Sequence, residues 1–134
     1  MFTAIPLFAV LLVVYNIHML LGDVNASLAS NLYEMGLLSG AQWSFSLSDL
    51  YLSLGVIALY IEVFKSTRTG AASIIDHSLS MLVFIVFIIE FLTVKACGTS
   101  TFFILGLMSL LDVIAGFTVS IVAARRDFNL RDAE

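Results

Sequence analysis

The sequence predicts an all-α integral membrane protein, a four-helix bundle with a short amphipathic interfacial helix between the first two spans. Of its 134 residues, 60% are hydrophobic and only 12% are charged. A soluble domain is nearer half apolar and a quarter charged. The apolar residues fall into four blocks separated by polar segments, and each block is long enough to cross a hydrocarbon core of ~30 Å at ~1.5 Å per residue. We therefore expect one four-span domain over residues 1–134.

The four spans are predicted from the limits of the apolar blocks. No Lys or Arg precedes the first block, and its apolar run is long for a signal peptide, so we expect it to remain as a span. Glycines punctuate the ends of the blocks as helix stops or turns. The predicted spans cover residues 2–21, 43–64, 73–94 and 101–124.

The basic residues predict the orientation. With four spans, both termini and the 65–72 loop lie on the same side of the membrane. That side holds Lys65, Arg68, Arg125, Arg126 and Arg131, whereas the other side holds only Lys95. Cytoplasmic loops carry the excess of Lys and Arg. We therefore expect a protein of the bacterial inner membrane, in contact with the lipid bilayer, with both termini in the cytoplasm.

The segment 22–42, between the first two spans, has its own apolar pattern. Leu28, Leu32 and Met35 recur at i, i+4 and i+7, and Gly36 can end a helix. This spacing predicts a short amphipathic helix that lies on the outer membrane surface. It would serve as an ordinary connector or as a lid over the bundle.

Asp112 lies in the middle of an apolar run, residues 100–124. A charge near the centre of the bilayer costs roughly 2.5–3.5 kcal/mol on insertion scales, so something must compensate for it. One interpretation is structural, in which a protonated or paired Asp112 forms an interhelical hydrogen bond. The other is functional, in which Asp112 carries a proton or binds an ion.

Small residues share the helical face of Asp112. Ser109 precedes it by three residues, and Gly116, Ser120 and Ala124 follow it at intervals of four. Small side chains at every fourth position let a neighbouring helix approach closely. This pattern predicts that Asp112 faces another helix rather than lipid.

A second set of polar residues is predicted at one depth near the outer surface. Asn16 and His18 come from the first span, Asp49 from the second and Glu90 from the third. This layer is interpreted as a structural polar network or as a proton or solute route. It has no recognised metal-ligand spacing, and Asn16 and His18 point about 200° apart around a helix. His18 and His77 lie near opposite surfaces, so they cannot hold one haem, and we expect neither metal nor cofactor.

Charged residues near the inner surface receive a simpler interpretation. Glu62 precedes Lys65 by three residues, which predicts a near-surface ion pair worth little in stability. Asp76 opens the third span, where an acid is favourable at a helix N-terminus. We expect Asp76 to act in capping and interface anchoring.

Composition narrows the functional class. A net charge of −4 with dispersed cations disfavours nucleic-acid binding, and a single cysteine, Cys97, excludes an intrachain thiol pair. No catalytic motif is visible, which disfavours an enzyme. We expect an accessory, assembly or scaffolding subunit that acts through helix–helix association with a membrane-protein partner or as a homo-oligomer. The alternative is a small oligomeric proton-coupled transporter or channel that uses the intramembrane carboxylates.

Overall fold

The computed structural model describes residues 5–67 and 71–131. Helices make up 77% of the structure, which supports the predicted all-α class. Within the described residues the elements are α1 (Leu7–Leu21), α2 (Val24–Leu28), β1 (Asn31–Gly36), β2 (Gln42–Ser46), α3 (Leu47–Ser66), α4 (Ala71–Thr93), a 3-10 turn (Lys95–Cys97) and α5 (Ser100–Arg131).

Three of these helices are long and apolar enough to cross a membrane. They are Leu47–Ser66, Ile74–Thr93 and Ser100–Val122, and α1 is a shorter apolar helix. Only 22% of the apolar stretch in each of the first two helices is buried inside the protein, and 33% of that in the third. Much of the exposed remainder is aliphatic, including Ile57 and Ile114. Such an outward-facing apolar surface is typical of a membrane protein, because lipid rather than water would cover it.

The prediction of an amphipathic helix across residues 22–42 is wrong. Helix α2 has only five residues, and the chain then forms the antiparallel β1–β2 hairpin. The i, i+4, i+7 pattern competes here with an alternation of period two, because Tyr33 and Met35 pair with Phe45 and Trp43 across the strands. Cross-strand pairs of this kind stabilise a hairpin, and residues 43–46, assigned to the second span, supply the partner strand.

The second apolar helix begins at Leu47 and not at residue 43 as predicted. The Ser46 hydroxyl accepts a hydrogen bond from the Asp49 N–H, while the Asp49 carboxylate accepts from the Ser46 N–H. This reciprocal capping box satisfies two backbone N–H groups that the first turn of a helix leaves unpaired. The strand therefore runs directly into the helix without a flexible loop.

Helix α5 packs against both α3 and α4, and α1 packs against the same two helices. Large buried side chains fill the space between them, namely Phe8, Tyr15, Phe87, Phe102 and Leu105. We call the end of the bundle at which α3 begins the hairpin end, and the end at which α3 finishes the Lys65 end.

Gly116 allows a close approach between α4 and α5. A Cβ atom placed on it would lie 2.6 Å from Cε1 of the His77 ring. Ser109, Asp112 and Gly116 are buried on this face of α5, and Ser120 is half-buried. The side chain of Ala124, the last member of the predicted small-residue face, lies outside the described residues.

Gly116→Ala should lower the free energy of unfolding by about 1–3 kcal/mol, the usual cost of overpacking. The stiff His77 ring cannot move aside as easily as a flexible side chain. Gly106→Ala is the matched control, because its Cβ would lie 3.7 Å from Phe87 Cβ, an ordinary contact distance. Alanine also favours helix over glycine by about 1 kcal/mol. Unfolding of both variants in detergent tests the prediction. It would be contradicted if Gly116→Ala were as stable as Gly106→Ala.

Candidate functional site

Four charged residues from three helices meet inside the bundle towards its Lys65 end. They are Glu62 and Lys65 of α3, Asp76 of α4 and Asp112 of α5, which we call the carboxyl cluster. The exposed fractions of Glu62, Asp76 and Asp112 are 1%, 6% and 4%. Glu62, Lys65 and Asp76 all interact electrostatically with Asp112. The cluster is therefore a single buried group of charges.

Lys65 connects two of the three carboxyls. Its Nζ lies 2.9 Å from Glu62 Oε2 and 2.8 Å from Asp76 Oδ1. The Leu7 N–H donates to Glu62 Oε1 over 2.5 Å, and Lys65 Nζ donates to the Ile5 carbonyl over 3.3 Å. These contacts bind the start of α1 to the last turn of α3 and to the N-terminal part of α4.

Asp112 is less completely paired than Glu62. The Ser80 hydroxyl hydrogen-bonds its carboxyl group. Asp112 Oδ2 and the Ser109 hydroxyl are buried without a hydrogen-bond partner among the described residues. Asp76 Oδ1 lacks a well-aligned hydrogen bond and contacts Lys65 as an ion pair. Leaving a buried polar atom without a partner costs about 1–3 kcal/mol. The unpartnered carboxyl oxygen of Asp112 is therefore an acceptor that could bind a proton.

The charges of the cluster do not balance. With every group ionised, three carboxylates and one ammonium give −3 + 1 = −2. Buried charges are costly unless they are paired, so the cluster has the chemical capacity to bind a proton. Among residues 5–67 and 71–131, no group of three or more His, Cys, Asp or Glu residues is placed to hold a metal ion.

The predicted positions of the charges near the inner surface are wrong. The predicted ion pair between Glu62 and Lys65 is present, but it was expected near the surface and Asp76 was expected as an interface anchor. The side chain of Lys65 is only 15% exposed, and both carboxyls are buried. A signal for this existed in the sequence. Gly55 and Ala58 precede Glu62 by seven and four residues, which is the same small-residue spacing that marked Asp112.

The structure brings together two of the four residues predicted as an outer polar layer. Asn16 Nδ2 donates to Glu90 Oε2 over 2.8 Å, which joins α1 to α4. Asp49 instead belongs to the capping box of α3. His18 Nδ1 lies 3.2 Å from the Tyr51 hydroxyl, and the two rings stack nearly parallel. The predicted layer is thus divided into separate contacts near the hairpin end.

Tyr15 is a further polar contact that sequence reasoning missed. It is fully buried, and its hydroxyl lies 2.8 Å from Thr99 Oγ1. Its ring packs on Tyr51 and Phe102, with centroid distances of 5.4 and 4.8 Å. Tyr15 therefore joins α1, α3 and the start of α5 at the hairpin end.

A buried apolar layer separates these contacts from the carboxyl cluster. Along α5, Phe102 and Leu105 stand between Thr99 and the buried Ser109. Along α4, Phe87 stands between Ser80 and Glu90 in the same way. Every buried carboxyl among the described residues belongs to the cluster. The cluster is accordingly closer to the Lys65 end than to the hairpin end.

Cys97 offers no reactive group. It is completely buried in the turn before α5, and burial raises the pKa of its thiol to about 11, with a smaller contribution from nearby Glu90. The thiol is therefore protonated at neutral pH. A protonated thiol is neither a nucleophile nor a metal ligand.

An apolar groove opens between α4 and α5 on the outer surface. Its volume is about 190 Å³, and its lining includes Phe84, Phe91, Phe103 and Gly106. Every lining residue is apolar, so the groove can hold a hydrophobic chain but supplies no catalytic group.

The amino-acid sequence and the fold were also compared with known proteins. The protein matches no protein-family model, no curated protein and no solved structure.

Proposed function

We propose that this chain is a four-span membrane protein whose carboxyl cluster takes up and releases a proton, and that it works as a small oligomeric proton-coupled transporter or channel. The observation that carries the proposal is the cluster itself, in which two buried carboxyls contact one ammonium and a third, Asp112, interacts electrostatically with all three groups. Asp112 Oδ2 is the acceptor left open for the proton. Ionisable residues inside a membrane bundle commonly mark proton relays.

The proposal takes α1 as the first of the four spans. Its fifteen described residues form a helix of about 22 Å at 1.5 Å per residue. This helix packs along α3 and α4, and its outward side is apolar at Val13, Val14 and Ile17. A helix with lipid on one side and protein on the other fits a span at the edge of the bundle.

Protons would reach the cluster from the Lys65 end. The Lys65 side chain is partly exposed there, and its ammonium contacts the exposed Ile5. The apolar layer blocks the route from the hairpin end. By the distribution of basic residues, the Lys65 end faces the cytoplasm. Transfer across the membrane would then require a movement that opens the layer around Phe87 and Leu105.

Asp112→Asn should abolish proton uptake, because asparagine keeps the shape and hydrogen bonding of Asp112 but cannot exchange a proton. The assay uses the purified protein in liposomes that enclose a pH-sensitive dye, with a potassium diffusion potential as the driving force. Glu90→Gln is the matched control, since Glu90 is also a carboxyl within a spanning helix but pairs with Asn16 outside the cluster. It should leave proton uptake unchanged.

Two further measurements make this test decisive. Circular dichroism and gel filtration show whether Asp112→Asn folds and assembles as the wild type does. Infrared difference spectra then show whether a carboxylic-acid band of the wild type is lost in the variant. A folded variant with wild-type uptake would contradict the proposal, as would wild-type liposomes that take up no protons.

A second candidate function is an accessory or scaffolding subunit. The observation that favours it is the β1–β2 hairpin, whose residues 31–44 are all exposed, as an association surface would be. Pull-down in a mild detergent, together with crosslinking, tests this candidate. A stoichiometric partner or a defined homo-oligomer would support it, and a lone monomer would contradict it.

A further inference from the structure

The β1–β2 hairpin has one apolar face. Strand register pairs Tyr33 with Phe45 and Met35 with Trp43, so these four side chains lie on the same side. The rings of Trp43 and Phe45 are 5.7 Å apart. Tyr33, Met35 and Trp43 are 56%, 42% and 44% exposed, which means that the other described residues leave this aromatic face largely uncovered.

Apart from Leu32, which lies at a register irregularity, the opposite face of the hairpin is polar. It carries Glu34 and Ser44, which pair across the strands, and Gln42 opposite Gly36. Asn31 Nδ2 donates to Glu34 Oε1 over 2.8 Å. The hairpin is therefore amphipathic, although the described residues provide no second layer against which its aromatic face could pack.

The hairpin is fixed to the end of a candidate spanning helix. Strand β2 ends at Ser46, which caps α3, so no loop intervenes between strand and helix. The Leu47 N–H also donates to the Ser30 carbonyl over 3.0 Å, which fastens the segment before β1 to the same point. With α3 across a bilayer, the base of the hairpin lies at the level of the lipid headgroups.

We propose that the aromatic face, formed by Tyr33, Met35, Trp43 and Phe45, binds the headgroup region of the lipid bilayer. Trp and Tyr concentrate at this depth of a membrane, because their rings are apolar and their N–H and O–H groups remain hydrated. An isolated two-stranded hairpin is marginal in water, so a covering surface also explains why it forms. The proposal goes beyond proton binding and does not depend on the carboxyl cluster.

Trp43 is the only tryptophan of the chain, so its fluorescence reports on this face alone. The full chain is incorporated into phosphatidylcholine vesicles, and flotation confirms incorporation before any measurement. Lipids brominated close to the headgroup should quench Trp43 more strongly than lipids brominated near the end of the acyl chain. Iodide in the water should quench it only weakly, and the emission should be shifted to shorter wavelength than that of solvated tryptophan.

Two single substitutions place the same charge on opposite faces of the hairpin. Met35→Glu on the aromatic face should abolish quenching by brominated lipids and raise iodide quenching several-fold. Gln42→Glu on the polar face should leave both unchanged, because Gln42 lies opposite Gly36 and the new carboxyl does not face Glu34 directly. Circular dichroism checks that each variant folds.

The wild-type protein alone can overturn the proposal. Strong iodide quenching without lipid quenching would mean that the aromatic face lies in water. Protection from both quenchers would mean that protein covers it, as in an oligomer or a complex. Either result would leave the assay of proton uptake unaffected, so the failure of this proposal and that of the proposed function can be told apart.

Discussion

Lys65→Met is expected to lower the free energy of unfolding by about 3–5 kcal/mol, the cost of removing one partner from a buried ion pair. Among the four residues of the carboxyl cluster, Lys65 is the only cation. Its Nζ lies 2.9 Å from Glu62 Oε2 and 2.8 Å from Asp76 Oδ1. Methionine keeps most of the volume of the side chain but leaves three carboxyls without a counter-charge. The loss should shrink as the pH falls, because the carboxyls then become neutral by binding protons.

The chain offers two controls for this substitution. Lys95→Met removes the only other lysine, which is exposed in the turn before α5, and should cost little. In the double variant Lys65→Met/Asp76→Asn, the cluster regains its original net charge of −3 + 1 = −2, because one carboxyl is removed together with the ammonium. We expect this double variant to recover part of the lost stability. Reversible unfolding in detergent measures all three, and an equal cost for Lys65→Met and Lys95→Met would contradict the buried cluster.

Hydropathy was sufficient to find the helices, because a long apolar run has few ways to satisfy its backbone other than as a helix. The three helices that are long and apolar enough to span a membrane correspond to the second, third and fourth predicted spans. The boundary between the first two spans could not be found in this way. Trp43 and Phe45 are as compatible with a strand as with the first turn of a helix, and the pairing partner of the strand decides between them.

The charged residues show a different limit of sequence reasoning. Asp112 was found because it interrupts an apolar run, and the structure places it in a buried helix contact. Glu62 was given a surface role because it lies close to the end of a span and next to Lys65. Its burial depends on where α1 and α4 sit, since the Leu7 N–H and the Lys65–Asp76 ion pair enclose it. Distance from a helix end is thus a poor guide to burial in a bundle whose helices are staggered.

The hairpin end of the bundle should depend just as strongly on one aromatic residue. Tyr15→Ala is expected to lower the free energy of unfolding by about 3–5 kcal/mol, as aromatic-to-alanine changes do in cores. Tyr15 is completely buried, and its ring contacts Tyr51 of α3 and Phe102 of α5. Its loss would leave a cavity where three helices meet.

Tyr15→Phe separates the ring of Tyr15 from its hydroxyl. Phenylalanine keeps the aromatic contacts and removes only the hydrogen bond to Thr99, so it should cost about 1 kcal/mol. Because the apolar layer isolates the hairpin end from the carboxyl cluster, Tyr15→Phe should leave proton uptake at the wild-type level. Equal destabilisation by the two variants would mean that the hydroxyl, rather than the packed ring, holds this end of the bundle together. Loss of proton uptake in a folded Tyr15→Phe protein would instead mean that the two ends are coupled across Phe87 and Leu105.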